Sequence, residues 1–173
     1  MRLNPRRALI ALACAAALAA SAPPALAGPL SDFAENALID AIMRGQAFSP
    51  PATLHWGFTT DLCTDAGPGT EPSGGAYARV AVAASLANWA GTQGAGTTVA
   101  STGTGATTSN NVTITWPTTT ASWSTLLALR AHDAATAGNQ WLCFDLVTPF
   151  DATSSGITIN FAPAQLQFYI DTP

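Results

Sequence analysis

From Ala52 onward, apolar residues recur at every second position in short runs, and clusters of Gly, Pro, Asn and Asp separate the runs. A period of two puts alternate side chains on opposite faces of an extended chain, so each run reads as a strand with one buried face. Leu54, Trp56 and Phe58 share one such face, and Tyr77 to Ala83 gives a second strand with Ala78, Val80 and Val82 on one side. Val112, Ile114 and Trp116 make a third, ended by Pro117. Trp123 to Ala131 is a fourth, Gln140 to Val147 a fifth, Gly156 to Phe161 a sixth and Gln165 to Asp171 a seventh. A weaker strand is expected near Thr97 to Ser101, within a Gly, Ala, Thr and Ser stretch from Gly91 to Asn111 that reads as a mobile hairpin or loop. The strands' half-polar alternation argues against a buried parallel sheet. They predict a mainly β fold: an antiparallel β-sandwich or jelly-roll-like domain over residues 52–173.

Residues 28–51 read differently. Leu30, Phe33, Ala34, Ala37, Leu38, Ala41 and Ile42 follow helical spacing, which predicts one N-terminal amphipathic helix. Ser31 suits its cap, Asp32 and Glu35 its positive end, and Arg44 its negative end. Gly45 is a natural stop, and Ser49-Pro50-Pro51 forces an extended linker.

Residues 1–27 have the three parts of a secretory signal peptide. Arg2, Arg6 and Arg7 precede an apolar run from Ala8 to Ala20, and Ala25-Leu26-Ala27 offers a small-residue cleavage site. Cleavage would leave 146 residues with a net charge of −7 and two cysteines, Cys63 and Cys143. In an exported chain those two are expected to form one disulfide; otherwise they are buried thiols. No later stretch is long and apolar enough to cross a bilayer, so no membrane insertion is expected after cleavage.

Charge excludes one class of partner. The whole chain carries −4, only 9% of its residues are charged, and its six basic residues are all Arg. Nucleic acid is therefore not an expected partner. Chemistry is equally sparse. His55 should face away from Leu54 and Trp56, and His132 with Asp133 falls in what reads as a surface turn. A Ser–His–Asp site has its residue types here, but no nucleophile elbow. Asp61, Asp65 and Glu71 share a Gly-rich loop without calcium-loop spacing and read as solvated acids. Asp133, Asp145 and Asp151 read as scattered surface acids rather than a glycosidase pair. No catalytic residue, cofactor site or metal site is expected. Trp56 and Trp116 lie in register with core residues, whereas the spacing leaves Trp89, Trp123 and Trp141 open between core and surface.

One resemblance runs along nearly the whole of the chain after residue 28. Leu30 to Asp40, with Arg44-Gly45, looks like the opening of a phage structural family usually called tail-fibre-like. Pro51-Ala52-Thr53-Leu54-His55-Trp56-Gly57-Phe58 is similar to that family's P-A-T-L-Y-V-G-L run. Thr70-Glu71 with Gly74-Gly75-Ala76-Tyr77-Ala78-Arg79-Val80 resembles its E-V-S-G-G-x-Y-A-R-V signature. Asn110-Asn111, Ile114-Thr115-Trp116-Pro117, Ala121-Ser122-Trp123 and Asp133 to Asn139 complete the series in order. The resemblance implies a β-sandwich module of a phage particle or prophage, without enzymatic activity. Its partners would be further copies of itself or other phage structural subunits.

The leader-like segment and the two cysteines depart from that family's pattern. They admit two explanations: a phage-derived domain exported to the periplasm or beyond, or a start upstream of a virion subunit assembled in the cytoplasm. The main alternative function is a secreted or cell-surface module that binds a glycan or receptor; a secreted hydrolase ranks last.

Overall fold

The computed structural model describes residues 29–103 and 106–169. The leader reading of residues 1–27, Thr104-Gly105 and the last residues of the seventh expected strand lie outside that span. Among the described residues, eight antiparallel strands and one helix are formed. Helix α1 runs Asp32–Arg44 and strand β1 Thr53–Thr59; β2 is Val80–Ala83, β3 Thr107–Ser109, β4 Ile114–Thr115, β5 Thr125–His132, β6 Gln140–Asp151, β7 Asn160–Phe161 and β8 Gln167–Tyr169. The caps of α1 are those expected: the Ser31 side chain accepts from the Ala34 amide, and Gly45 turns left-handed at φ 67°.

One sheet has the order β2-β1-β5-β6. Against it lie two ribbons, β3-β8 and β4-β7, giving a sandwich-like arrangement. Trp56, Phe58, Val82, Leu129 and Ala131 from the sheet meet Ile114, Trp116, Ile159, Leu166 and Phe168 from the other layer. Aromatic rings dominate the seam: Trp56 stacks on Phe168 at 4.9 Å and Phe58 lies 4.7 Å from Trp116. Trp123, left open by the spacing, is core, and its ring N–H donates to the Gly75 carbonyl at 2.8 Å.

Several expected strands are shorter than their apolar patterns. The second begins at Val80, because Tyr77 and Arg79 turn away to bond elsewhere. The third and sixth reduce to Ile114–Thr115 and Asn160–Phe161. The fifth instead extends to Asp151. Along it Leu126 faces Phe150 while Ala128 faces Asp145, so residues 146–149 bulge out of register and leave Val147 fully exposed.

The segment from Gly91 to Asn111 is not the loose loop its composition suggests. Thr97 to Ser101 is irregular, whereas Thr107–Ser109 forms β3. Asn110 is the reason. It is fully buried, its amide donates to the carbonyls of Val112, Phe161 and Ala162, and its side-chain oxygen accepts from the Leu166 amide. A single side chain thus replaces the hydrogen bonds that a longer ladder would supply.

Candidate functional site

Strand β5 is central and covered on both faces. Its apolar face, with Leu129 and Ala131, belongs to the core. Its other face carries Arg130 and His132, opposite Gly57 and His55 on β1 and Cys143 and Gln140 on β6. The connection from Thr60 to Arg79 folds over this polar face.

Arg130 holds that cover down. Its side chain is fully buried and donates to the Thr59 hydroxyl at 3.2 Å, to the Gly67 and Leu62 carbonyls at 2.6 and 2.8 Å, to Gln140 at 2.8 Å and to Asp61 at 3.3 Å. All its nitrogens are thereby satisfied, as a buried guanidinium requires. Asp61 also accepts from the Thr70 amide, and these partners outweigh its slight desolvation and hold its carboxyl below the usual range. A second cation works beside the first. Arg79 makes a two-pronged pair with Glu71 and donates to the Ala134 and Ala137 carbonyls at 2.7 Å each. The Tyr77 hydroxyl lies between two acceptors, Glu71 at 2.8 Å and the Phe58 carbonyl at 3.0 Å, which share its one proton. Burial, reinforced by the Glu71 charge, pushes the Tyr77 phenol well above its ordinary range. Glycine admits this cluster: a methyl on Gly57 would sit 2.6 Å from the Tyr77 oxygen.

The acidic loop is therefore not a set of solvated acids. Asp61 and Glu71 are paired to buried or half-buried arginines. His132 is likewise not on a surface turn. It is the last residue of β5, fully buried, and neither ring nitrogen has a hydrogen-bond partner among the described residues. Burial, then the Arg79 charge, lowers its pKa to about 4. Asp133 closes the turn by accepting from the Asn139 amide and side chain at 2.8 Å each. Asp145 accepts from the Cys63 amide at 2.7 Å, and Asp151 from the Thr153 amide at 3.0 Å. Each of the three is thus engaged with a different part of the chain. Among the described residues no group of three or more His, Cys, Asp or Glu is arranged to hold a metal ion.

Cys63 and Cys143 are joined by a disulfide, with their Cα atoms 5.6 Å apart. The bond fastens the cover to β6. On the outer edge of the same strand, the Ser31 amide donates to the Trp141 carbonyl at 3.1 Å and the Cys143 amide to the Pro29 carbonyl at 3.0 Å. Residues 29–31 thus pair with β6 and root α1 beside the disulfide. Phe33 and Phe48 then meet Trp141 edge-on at 5.4 and 6.1 Å. Elsewhere α1 buries only Ala34. On the opposite flank, the β6 bulge leaves an apolar cleft of about 370 Å³ lined by Phe58, Phe144, Leu146, Phe150, Phe161 and Phe168.

Sequence reasoning missed the cluster of Arg79, Arg130, His132 and Glu71. The available signal was Arg130 and His132 alternating with Leu129 and Ala131 in one strand. A buried arginine on one face of a central strand demands buried acceptors, and the acidic loop that holds Asp61 and Glu71 was a source of them.

The family described as podophage GP4 fiber I protein gp80 matches residues 29–169 of this chain. No curated protein matches it.

Proposed function

The chain belongs to the podophage GP4 fiber I protein gp80 family, and from that premise we propose that it is a non-catalytic structural subunit held in a phage-like assembly by contacts with other phage structural subunits. The observation that carries this reading is the match over residues 29–169, which spans the described fold from the root of α1 to β8. The internal chemistry agrees with it. Arg79, Arg130, Glu71, Asp61 and Asp145 are engaged in fastening the fold rather than presented to a substrate. Residues 1–27 act as a leader that is removed, leaving an exported form of the module. The Cys63–Cys143 bond favours export, because such bonds persist in oxidising compartments.

Fractionation of producing cells, followed by sedimentation of phage-like particles, tests the reading. As an exported phage-derived subunit, the protein is expected outside the cytoplasm in a sedimenting assembly, with an intact mass that starts at Gly28 and is two hydrogens lighter than after reduction. A free protein that instead binds cells or glycans as a monomer would overturn the structural role in favour of a surface-binding module. A mass retaining residues 1–27, with free thiols, would overturn export alone.

A further inference from the structure

Strand β6 ends its sheet among the described residues, and its outer edge is paired there only with residues 29–31. Leu30 faces Leu142 in an antiparallel bridge, flanked by the bonds from the Ser31 amide to the Trp141 carbonyl and from the Cys143 amide to the Pro29 carbonyl. In an antiparallel ladder such bonds recur at every second residue. The N–H and C=O of Asp145 therefore point to the same outer edge as those of Cys143, and no described strand meets them. Unpaired strand edges are templates for another strand. Apolar surface adjoins this one. Leu142, Phe144 and Leu146 lie on the core face of β6, away from Trp141 and Cys143, and the last two line the cleft with Phe150, Phe161 and Phe168.

We propose that residues 25–28 of this chain, Ala25-Leu26-Ala27-Gly28, lie on that edge while the leader is attached, with Leu26 over the cleft. The proposal rests on the reading of residues 1–27 as a leader and states what its removal does. The place where the described chain begins selects the occupant. Pro29 is already bonded to β6, so the residues before it reach the edge with no further loop to close. Continuing the register of Leu30 with Leu142 sets Gly28 opposite Phe144, Ala27 opposite Asp145 and Leu26 opposite Leu146. Directly opposed residues share a face, so Gly28 and Leu26 fall on the core face and Ala27 on the other.

The residue types suit those places. Gly28 adds no side chain beside the stack of Phe144 on Phe168, whose rings are 4.1 Å apart. Leu26, the one large apolar residue of the four, comes to the cleft. Ala27 exchanges both main-chain bonds with Asp145. Pro23 and Pro24 have no N–H to give a ladder, so the added strand ends before them. Cleavage after Ala27 takes the strand away and leaves edge and cleft open in the exported form alone. Before export the edge is covered and does not pair with other copies.

Paired cysteines in the full chain test this, with Cys14→Ser to remove the third thiol. Leu26→Cys with Leu146→Cys is expected to form a disulfide in most molecules, read by peptide mass mapping. Ala27→Cys with Leu146→Cys, whose side chains face apart, should form one about tenfold less often. Equal yields, or no bond from Leu26→Cys, would overturn the register. Hydrogen exchange needs no substitution. The Asp145 amide should exchange roughly tenfold more slowly in the full chain than in a chain starting at Gly28. Equal exchange would overturn the proposal even if the cysteine variants failed to fold. If the bond forms but producing cells retain residues 1–27, the added strand stands and the leader reading falls; if cells remove them and the bond does not form, the leader reading stands and the strand falls.

Discussion

His132 and Arg130 sit two residues apart on one face of β5 and meet burial in opposite ways. Arg130 stays charged because acceptors surround it; His132 stays neutral because none reaches it. The histidine's pKa of about 4 in the fold lies below its unfolded value near 6.5. The unfolded chain therefore binds the extra proton first. The stabilisation is complete above pH 6.5 and is lost as pH falls from there toward 4, by up to about 3 kcal/mol. Glu71, also held below its ordinary range, adds a loss of the same sign at the acid end. Denaturant unfolding of wild type and His132→Leu across that window should show a shallower pH dependence in the variant; equal slopes would show that His132 does not couple folding to protons. At this scale the sequence was readable where a residue answers to its own strand, as Trp56 and Trp116 do. His132 was misread because Asp133 to Asn139 carry turn residues, and because its lid comes from a loop some sixty residues earlier in the chain.

Elements were legible by type and less so by extent. The period of two located strands, but Ile114–Thr115 and Asn160–Phe161 show how little regular pairing the second layer needs once Asn110 ties its turns together. No periodicity carries such a tie, since a single Asn supplies it. Helix α1 was legible down to its caps, yet its apolar stripe suggested burial that the structure does not give it. The stripe's small residues lie inward, and Trp141 anchors Phe33 and Phe48 at one end. Trp141→Ala removes two edge-on ring contacts, each worth about 0.5–1.5 kcal/mol beyond area burial. Proteolysis between residues 31 and 48 is expected to speed up roughly tenfold or more, while the near-ultraviolet circular dichroism of the buried core rings stays in place. Unchanged protection would show that the pairing of residues 29–31 with β6 alone holds the helix.

Across the whole molecule, composition and alternation gave a mainly β, antiparallel fold with one helix, but not the sheet order. In β2-β1-β5-β6 the first strand pairs with the fifth, and nothing local in either strand names its partner. The cysteines were the exception, because the leader reading sets Cys14 aside and leaves one pairing, Cys63 with Cys143. Their bond spans a separation of 80 residues, worth about 4 kcal/mol in the chain-entropy account. The Cys63→Ser, Cys143→Ser double variant should melt roughly 10 °C lower than the oxidised wild type, and reductant should lower the wild type by a similar amount. A melting point indifferent to reductant would mean that Arg130 and Asp61 hold the cover without the bond.

The position of that bond also fixes how the subunit bears load. A pull on α1 meets the body at two places: the covalent run of residues 45–52 into β1, and Pro29 to Ser31, whose pairing with β6 ends at Cys143. Peeling would break those hydrogen bonds in turn and then arrive at a residue tied covalently to Cys63. Once they are gone the load passes along residues 45–52 into β1, the strand that pairs with β5. The disulfide stands behind the tear: it keeps β6 fastened to the connection that Arg130 clamps, so a peeled helix hangs by its linker from a sandwich that remains whole.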